Sequence, residues 1–391
     1  MWDGGGRGGV LGHVWPVLGR TRKAKREVNL TSSHLPNGID WNALLEPYKR
    51  PTLWRSLYQL ANTAVPFAML WIVMLWSLSV SYWITLVLSV PAALLVMRMF
   101  IFQHDCGHQS FFKSRRANDI LGSLIGVLTL VPYHYWRRTH AIHHATSGNL
   151  DQRSFGDIDT LTVREYLGLS KFKRLLYRLY RHPFVLLVVG PTYQFIFKHR
   201  YPADAPRSWK REWASVHRTN FGLLAVLTLM WLTVGIDRFL LVQLPITLIA
   251  GSLGVFLFYV QHQYEDTYWR YRERWDYYAA GLEGSSHHVL PKVFQWLTGN
   301  IGLHHVHHLS SRIPNYNLQR CFDENPKLHD VTQLKFWDSV KTLWMTLWDE
   351  DQRRLVGFRD LKAIRAKLDM AADAGECIRA TKPEVVPRSW R

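Results

Sequence analysis

The chain has 391 residues, 48% of them hydrophobic and 20% charged, and its formal net charge is +18 at pH 7. This charge requires an anionic partner, but zinc-finger spacing, helix-turn-helix patterns and aromatic RNA-binding signatures are missing from the sequence, which argues against nucleic acid. The three cysteines, Cys106, Cys321 and Cys377, show no close pairing, so a disulfide framework is not expected and a reducing compartment is favoured.

Two long apolar tracts predict membrane helices. Residues 1–59 lack a signal peptide and are expected to form a cytosolic tail. Residues 60–102 contain one charge, Arg98, and are long enough for two crossings with a bend near Ser79–Tyr82. Residues 220–260 split in the same way at Asp237 and Arg238. The alternative is a soluble protein with two buried helical hairpins, which tracts of this length with so few charges disfavour.

The distribution of Lys and Arg predicts the orientation. The two bends contain one basic residue between them, Arg238, whereas basic clusters occupy the other side, at 20–26, 112–116, 135–140, 171–181 and 210–213. The positive-inside rule then places both termini and these clusters in the cytoplasm. The sequence thus predicts a multi-pass protein of a bacterial inner membrane or its equivalent.

The remaining segments predict a mostly helical cytosolic cap. Within residues 103–219, two short apolar segments, Ile120–Pro132 and Pro183–Phe197, fit either helices in the membrane interface or buried helices of the cap. Residues 261–391 are more polar, with amphipathic runs at Leu334–Trp348 and Asp360–Met370. The expected fold is therefore all-α, with four transmembrane helices as two hairpins beneath the cap.

The histidines are clustered near the predicted cytosolic ends of these helices. Of the 19 histidines, nine fall in four clusters whose offsets place several rings on one helical face. A single HxxxH pair is a weak signal, whereas two HxxHH clusters are a strong one. The nine are His104 and His108; His140, His143 and His144; His262; and His304, His307 and His308.

Nine imidazoles exceed what one ion can bind, so two metal ions are predicted. Zinc in structural sites prefers four ligands and often cysteine, while imidazole also suits iron and copper. An all-nitrogen, two-metal site at a membrane boundary favours paired iron that activates O₂, although spacing alone does not decide the metal. His305 is expected to point away from the ligand face.

Polar residues near the clusters are candidates to hold the second ring nitrogen of a ligand. The alternative for each is a solvated loop charge or a helix cap. The candidates are Asp105, Asp157, Glu265 and Asn300, with Asp151 and Asp159 as further carboxylates.

Four segments resemble the histidine boxes of the integral-membrane fatty acid desaturases, in their order and in their placement relative to the apolar tracts. They are "HDCGHQSFF", "HAIHHATSGNLD", "FYVQHQYEDTYW" and "GNIGLHHVHHLSSRIPNYNL", and the resemblance covers Leu60 to Asn317. The first box and "IPNY" are most similar to bacterial and plastid-like enzymes that act toward the methyl end of acyl chains esterified in lipid.

The resemblance implies a four-helix membrane bundle and a di-iron centre held by the nine histidines, with O₂ and external electrons as co-reactants. One departure concerns Phe258, which stands where the stearoyl-CoA branch has an Asn four residues before the equivalent of His262. The ligand shell is therefore expected to differ, and an acyl-CoA substrate is disfavoured. No fused b-type cytochrome is recognisable, so a separate donor, a ferredoxin or a b-type cytochrome, is expected.

The predicted function is O₂-dependent cis desaturation of a membrane-lipid acyl chain near its methyl end (ω6 or Δ12-like). Removing hydrogens from unactivated CH₂ groups needs a metal centre, because side-chain acids and bases are too weak. The same site could support a lipid, alkane or carotenoid hydroxylase or ketolase. A membrane zinc hydrolase and a non-enzymatic receptor or metal-handling protein are further alternatives. The basic face could dock an acidic electron donor or anionic lipid headgroups.

Overall fold

Long helices at both apolar tracts dominate the computed structural model, which describes residues 38–153, 156–373, 387 and 390. From Asp40 onward these residues belong to one unit, Asp40–Arg391. Residues 1–37 of the predicted tail and Cys377 lie outside the described residues. The α-helices of the described part are α1 (Trp41–Leu45), α2 (Leu53–Ser77), α3 (Tyr82–Gly107), α4 (Arg115–Leu128), α5 (Tyr133–Thr146), α6 (Val163–Gly168), α7 (Lys171–Tyr180), α8 (Gly190–Thr192), α9 (Lys210–Thr233), α10 (Ile236–His262), α11 (Tyr277–Glu283), α12 (Lys292–Leu297), α13 (His304–Leu309), α14 (Asn315–Glu324), α15 (Phe336–Thr342) and α16 (Leu361–Asp373).

The first hairpin consists of α2 and α3, joined by residues 78–81 as the sequence predicts. Trp76 and Trp83 flank this bend and are largely exposed, which suits side chains at a lipid–water boundary. Pro66 and Pro91 lie inside these helices. Membrane helices tolerate an internal proline because neighbouring helices and side chains satisfy the backbone groups that it frees. Both helices are long and apolar enough to cross a bilayer.

The second hairpin turns at residues 234–235, three residues before the predicted bend at Asp237 and Arg238. Helix α9 ends at Thr233 and α10 begins at Ile236, so Asp237 lies in the first turn of α10 rather than in the bend. Gly235 has φ of 93°, a conformation that glycine adopts without steric cost, and it determines where the chain reverses. An acidic side chain in the first turn also suits the helix dipole.

Three helices of the described part meet the length and composition of a membrane span: α2, α3 and α10. The fourth predicted crossing corresponds to α9, which begins at Lys210, ten residues before the apolar tract. Its first two turns carry Lys210, Arg211 and Glu212, and only its C-terminal part is continuously apolar.

Helix α3 lies at the centre of the membrane part. Its side chains Ala92, Ala93 and Val96 pack with Met74 of α2 and with Val242 and Ile246 of α10 in one buried cluster. The outer face of α2 is exposed along its length, as expected for a face that contacts lipid. This packing carries the last turn of α3 and the last turn of α10, both rich in polar residues, to the same end of the bundle.

The two short apolar segments pack against the long helices. Val127 of α4 lies against Gly222 of α9, where a Cβ atom would come within 2.7 Å of the valine side chain. Residues 185–197 continue as a helical stretch with π-helical turns at Val185–Val189 and Tyr193–Phe197 on either side of α8. Phe195 of this stretch lies against Gly251 of α10. These contacts place residues of both segments beside the long helices.

The described part of the chain is mostly helical, as predicted, and the cap also contains five short strands. Strand β1 (Leu161–Thr162) pairs in parallel with β4 (Leu347–Asp349), and β4 pairs antiparallel with β5 (Arg354–Val356). Strand β2 (His287–His288) pairs in parallel with β3 (Gln333–Leu334). The predicted amphipathic helix at Leu334–Trp348 is divided into the end of β3, α15 and the start of β4, whereas Asp360–Met370 corresponds to α16. Short strands with buried residues cannot be distinguished from helix by periodicity.

Candidate metal centre

Four helical elements bring the nine predicted histidines together. His104 lies in the last turn of α3 and His108 just after it, His262 is the last residue of α10, and the two HxxHH boxes lie on α5 and α13. Their side chains form two groups, and within each group the candidate ligand atoms lie within 4.8 Å of one another. The five-histidine group is His104, His108, His140, His144 and His307, and the four-histidine group is His143, His262, His304 and His308.

The two HxxHH boxes divide their rings in the same way. In each box, the two residues four apart share a group: His140 and His144 belong to the five-histidine group, and His304 and His308 belong to the four-histidine group. The third ring of each box, His143 or His307, belongs to the opposite group. Residues four apart on an α-helix differ by about 40° in direction, whereas adjacent residues differ by about 100°. Each box therefore contributes to both groups and ties them together.

The ring nitrogens approach closely. In the five-histidine group, the Nε2 atoms of His104 and His140 are 3.1 Å apart, those of His140 and His144 are 3.1 Å apart, and those of His144 and His307 are 3.0 Å apart. In the four-histidine group, Nε2 of His262 lies 3.1 Å from that of His143 and 2.9 Å from that of His304.

The tautomers of two rings follow from their Nδ1 partners. Nδ1 of His143 lies 2.5 Å from the carboxylate of Asp157, and Nδ1 of His262 lies 2.9 Å from the carbonyl oxygen of Gly284. Both partners only accept hydrogen bonds, so both Nδ1 atoms donate, and in the neutral ring each Nε2 carries a lone pair. These two lone pairs face each other, an arrangement that is repulsive without a shared cation.

Burial keeps several of the imidazoles neutral. Desolvation first, and then the neighbouring histidines, hold the pKa values of six rings well below 6.5: His108, His140, His144, His304, His307 and His308. The Nε2 atoms of His108 and His308 are buried and have no hydrogen-bond partner within the described residues. A neutral, buried, unpaired nitrogen is the form that binds a metal ion, so the donor set fits two nitrogen-ligated ions.

Described residues on both sides of Asp157 position it. A buried ion pair joins Arg153 to Glu165 at 2.6 Å, and Arg153 also donates to the carbonyl oxygens of Leu150 and Thr160 at the two ends of the loop. Gly156 has φ of 85°, and a Cβ atom there would come within 3.2 Å of Cβ of His143. Glycine therefore allows the loop to approach the ring that Asp157 orients.

Asp105 supports the five-histidine group through a longer contact. Its Oδ1 lies 3.4 Å from Nδ1 of His104, while Oδ2 accepts two hydrogen bonds from Asn315, from the backbone N–H and from the side-chain amide, both at 2.8 Å. The described side-chain hydrogen bond of the predicted residue Asn300 goes to the carbonyl oxygen of Asn315, at 3.2 Å. Gln59 of α2 exchanges hydrogen bonds with the side-chain amide of Asn315.

Asn315 was not predicted as a site residue. It is fully buried and joins α2, α3, α14 and the loop before α13 at the Asp105 carboxylate. It lies within the "IPNY" segment, which the sequence identifies only as part of a motif. Its role depends on contacts with residues more than 200 positions away.

The other predicted carboxylates lie away from the rings. Glu265 pairs with Arg354 at 2.8 Å and its side chain is about half exposed. Its carboxylate therefore lies at the surface, contrary to the expectation that it holds a histidine ligand. Asp151 accepts from the backbone N–H of Arg272, and Asp159 accepts from the indole of Trp390. His305 is buried outside both groups, as predicted.

Phe258 stands beside the four-histidine group. Its ring centroid lies 5.1 Å from that of His143 and 5.4 Å from that of His262. It lines a small cavity together with Asp157, His262 and Trp269. An apolar ring at this position excludes a fifth polar side chain and leaves this side of the group facing the cavity.

Arg181 connects the end of α10 to the cap. It is buried, and its guanidinium donates to the phenol oxygen of Tyr259 and the side-chain oxygen of Gln263, at 3.0 and 3.1 Å. It also donates to the carbonyl oxygens of Asp159 and Met345. Because Tyr259 and Gln263 flank His262, these contacts restrain the last turn of α10.

Comparison with known protein families matches residues 81–337 to the family described as "Fatty acid desaturase". This stretch contains all nine clustered histidines and covers more than half of the chain.

Individual relatives point the same way. A Bacillus subtilis (strain 168) protein named "Fatty acid desaturase" is 48% identical over 82% of this chain and 91% of the relative. An "sn-1 acyl-lipid omega-3 desaturase (ferredoxin)" from Nostoc sp. (strain 36) is 26% identical over 64% of this chain and 69% of the relative. An "sn-1 oleoyl-lipid 12-desaturase" from Anabaena variabilis is 27% identical over 68% and 77% of the two chains.

Proposed function

Because the chain belongs to the fatty acid desaturase family, whose members are oxidoreductases, we propose that it is an O₂-dependent di-iron enzyme that introduces a cis double bond into an acyl chain of a membrane lipid. The observation that carries the di-metal part is the separation of the nine histidines into two groups, within each of which the candidate ligand atoms lie within 4.8 Å of one another. The five-histidine group would hold one ion and the four-histidine group the other.

Two bound iron ions would supply the oxidising power for unactivated C–H bonds. In the overall reaction, one O₂ is reduced to two waters by two hydrogens from the acyl chain, two supplied electrons and two protons, and one double bond is formed. The protein residues orient and insulate this centre. Asp157 and the Gly284 carbonyl fix the tautomers of His143 and His262, so that Nε2 faces inward. Asn315 holds Asp105 against His104, and the buried rings are shielded from water.

The membrane arrangement that we propose has four crossings: α2, α3, α10 and the apolar C-terminal part of α9. The site then lies at the cytosolic end of the bundle, on the side of the basic clusters, with both chain ends. An acyl chain would reach the site from the lipid, and the cavity beside Phe258 is the space next to the four-histidine group.

We further propose a methyl-end, ω6 or Δ12-like double bond and a separate electron donor, a ferredoxin or a b-type cytochrome. The relatives named as oleoyl-lipid 12-desaturase and as ferredoxin-dependent acyl-lipid desaturase support this substrate and donor. Phe258 supports an acyl lipid over an acyl-CoA, because it differs from the Asn of the acyl-CoA branch.

The test is expression of the full chain in a bacterial host, with gas chromatography and mass spectrometry of the fatty acids and their disulfide adducts. We expect a new cis double bond toward the methyl end, about two irons per chain in the purified protein, and no product from His307→Ala at equal expression. A new hydroxyl group would identify a hydroxylase, and zinc in an active preparation would identify a hydrolase. A double bond near the carboxyl end would refute the methyl-end assignment alone.

A further inference from the structure

Helix α7 exposes an apolar stripe. Phe172, Leu175, Leu176 and Leu179 are 67, 53, 41 and 51% exposed, and their offsets of 0, 3, 4 and 7 place them on one face of the helix. Isolated exposed leucines are ordinary on protein surfaces, but four large side chains in one continuous row indicate an interaction surface.

Basic residues border this stripe. The helix sequence, KFKRLLYRLY, contains four basic residues and no Asp or Glu. Lys171 and Arg178 are exposed and, at about 100° per residue, lie together on one side of the stripe. Arg178 donates a hydrogen bond to the phenol oxygen of Tyr166, and this neutral partner does not compensate the charge of the guanidinium.

The opposite face of α7 fixes its orientation. The phenol oxygen of Tyr177 accepts from the backbone N–H of Leu161 and donates to the carbonyl oxygen of Thr346, and that of Tyr180 accepts from the backbone N–H of Asp159. Because these groups are held in the cap, the helix cannot rotate to bury its leucines.

The stripe continues along the chain. After α7, Phe184, Val188, Tyr193 and Phe197 are exposed on a stretch whose other side packs against Gly251 in the middle of α10. The apolar surface of α7 is therefore contiguous in sequence with a surface that lies against a candidate membrane span.

We propose that α7 is an in-plane membrane helix, with its apolar stripe in the acyl boundary of the cytosolic leaflet and Lys171 and Arg178 on anionic lipid headgroups. This rests on the proposed membrane topology. An apolar face bordered by cations is the pattern of helices that bind anionic bilayers. A soluble acidic donor would complement the cations but leave the leucines exposed to water between encounters.

The first experiment measures the surroundings of the stripe in the full chain, reconstituted in nanodiscs of phosphatidylcholine with phosphatidylglycerol. A nitroxide is attached at Leu176→Cys in a Cys377→Ser background, where the buried Cys106 and Cys321 stay unlabelled. Ile72→Cys on the exposed face of α2 is the lipid control, and Ala366→Cys on α16 is the water control. We expect the Leu176 label to collide more often with O₂ than with a water-soluble nickel chelate, as the label at Ile72 should. The label at Ala366 should collide more often with the nickel chelate.

The second experiment tests the headgroup contact. The label at Leu176 is expected to shift toward the lipid side when phosphatidylglycerol is added to phosphatidylcholine. Lys171→Glu with Arg178→Glu should abolish this shift. Lys362→Glu with Arg365→Glu changes the net charge equally on exposed positions of α16 and should leave the shift intact.

The outcomes separate this proposal from the proposed function. If the nickel chelate reaches the label at Leu176 while the label at Ile72 remains in lipid, the proposed role of α7 is wrong and the proposed topology stands. If the chelate reaches both labels, the role of α7 and the topology are both wrong. If neither reagent reaches Leu176, a second copy or another protein covers the stripe, and the lipid assignment is wrong. The fatty-acid profile of the same variants reports the desaturase activity independently.

Discussion

Replacing Asp157 by Ala is expected to weaken metal binding at the four-histidine group by about 10- to 100-fold. The carboxylate lies 2.5 Å from Nδ1 of His143, and it is the acidic partner that fixes this ring. Without it, the ring can adopt the other tautomer or rotate, and Nε2 no longer faces the group with a lone pair.

The magnitude follows from the burial of the pair. The side chains of His143 and Asp157 are 1 and 12% exposed, so water competes weakly for either partner. A hydrogen bond to a charged group contributes about 1.5–3 kcal/mol, which agrees with the expected loss of affinity at about 1.4 kcal/mol per factor of ten.

The assay is iron content per chain after dialysis against a series of chelator-buffered iron concentrations. Asp157→Asn keeps an acceptor oxygen but loses the charge, so its affinity should lie between those of the wild type and the Ala variant. Glu265→Gln is the matched control, because this carboxylate pairs with Arg354 at the surface, and it should bind iron like the wild type.

The reasoning fails if Asp157→Ala retains wild-type iron affinity while remaining folded. It also fails if Asp157→Ala and Glu265→Gln lose affinity equally, since that would mean that total negative charge matters rather than the contact with His143.

Three further predictions concern stability, and each is measured as the thermal unfolding temperature in detergent. Asn315→Ala should lower stability by about 2 kcal/mol because Asp105 loses a charge-assisted hydrogen bond, and Asn315→Asp should lower it further because two carboxylates would face each other. Arg181→Lys should cost about 2 kcal/mol, since an ammonium cannot replace the planar fork that reaches several acceptors at once; an unchanged unfolding temperature would contradict this. Burial lowers the pKa values of His287 and His288 from 6.5 to about 4, so the unfolded chain binds protons first and stability is lost as pH falls from 6.5 toward 4. The His287→Gln, His288→Gln double variant should therefore lose less stability than the wild type between pH 7.5 and pH 5.

Much of the site could be predicted because its signals are local. The offsets within each histidine box follow from helical geometry, and so the sequence indicates which rings share a face and that one ion is too few. The length of the apolar tracts similarly predicts the helical hairpins and the first bend. The second bend was misplaced by three residues because Gly235, not the charged pair after it, allows the chain to reverse.

The division of the rings into groups of five and four depends on tertiary packing. His143 and His144 are neighbours in the chain and point about 100° apart, and the packing of α3, α10 and α13 with α5 decides which other rings each of them meets. The contacts behind the rings are also non-local: Asp157 reaches His143, Asn315 reaches Asp105, and Glu265 is drawn away by Arg354.

The sequence by itself determined the composition of the site, since residue type and helical spacing decide which imidazoles can point in a common direction. Only the tertiary structure decided which nitrogens meet and which polar group holds each ring. Those contacts depend on distances between segments far apart in the chain, and such distances are set by the packing of whole helices rather than by any local pattern.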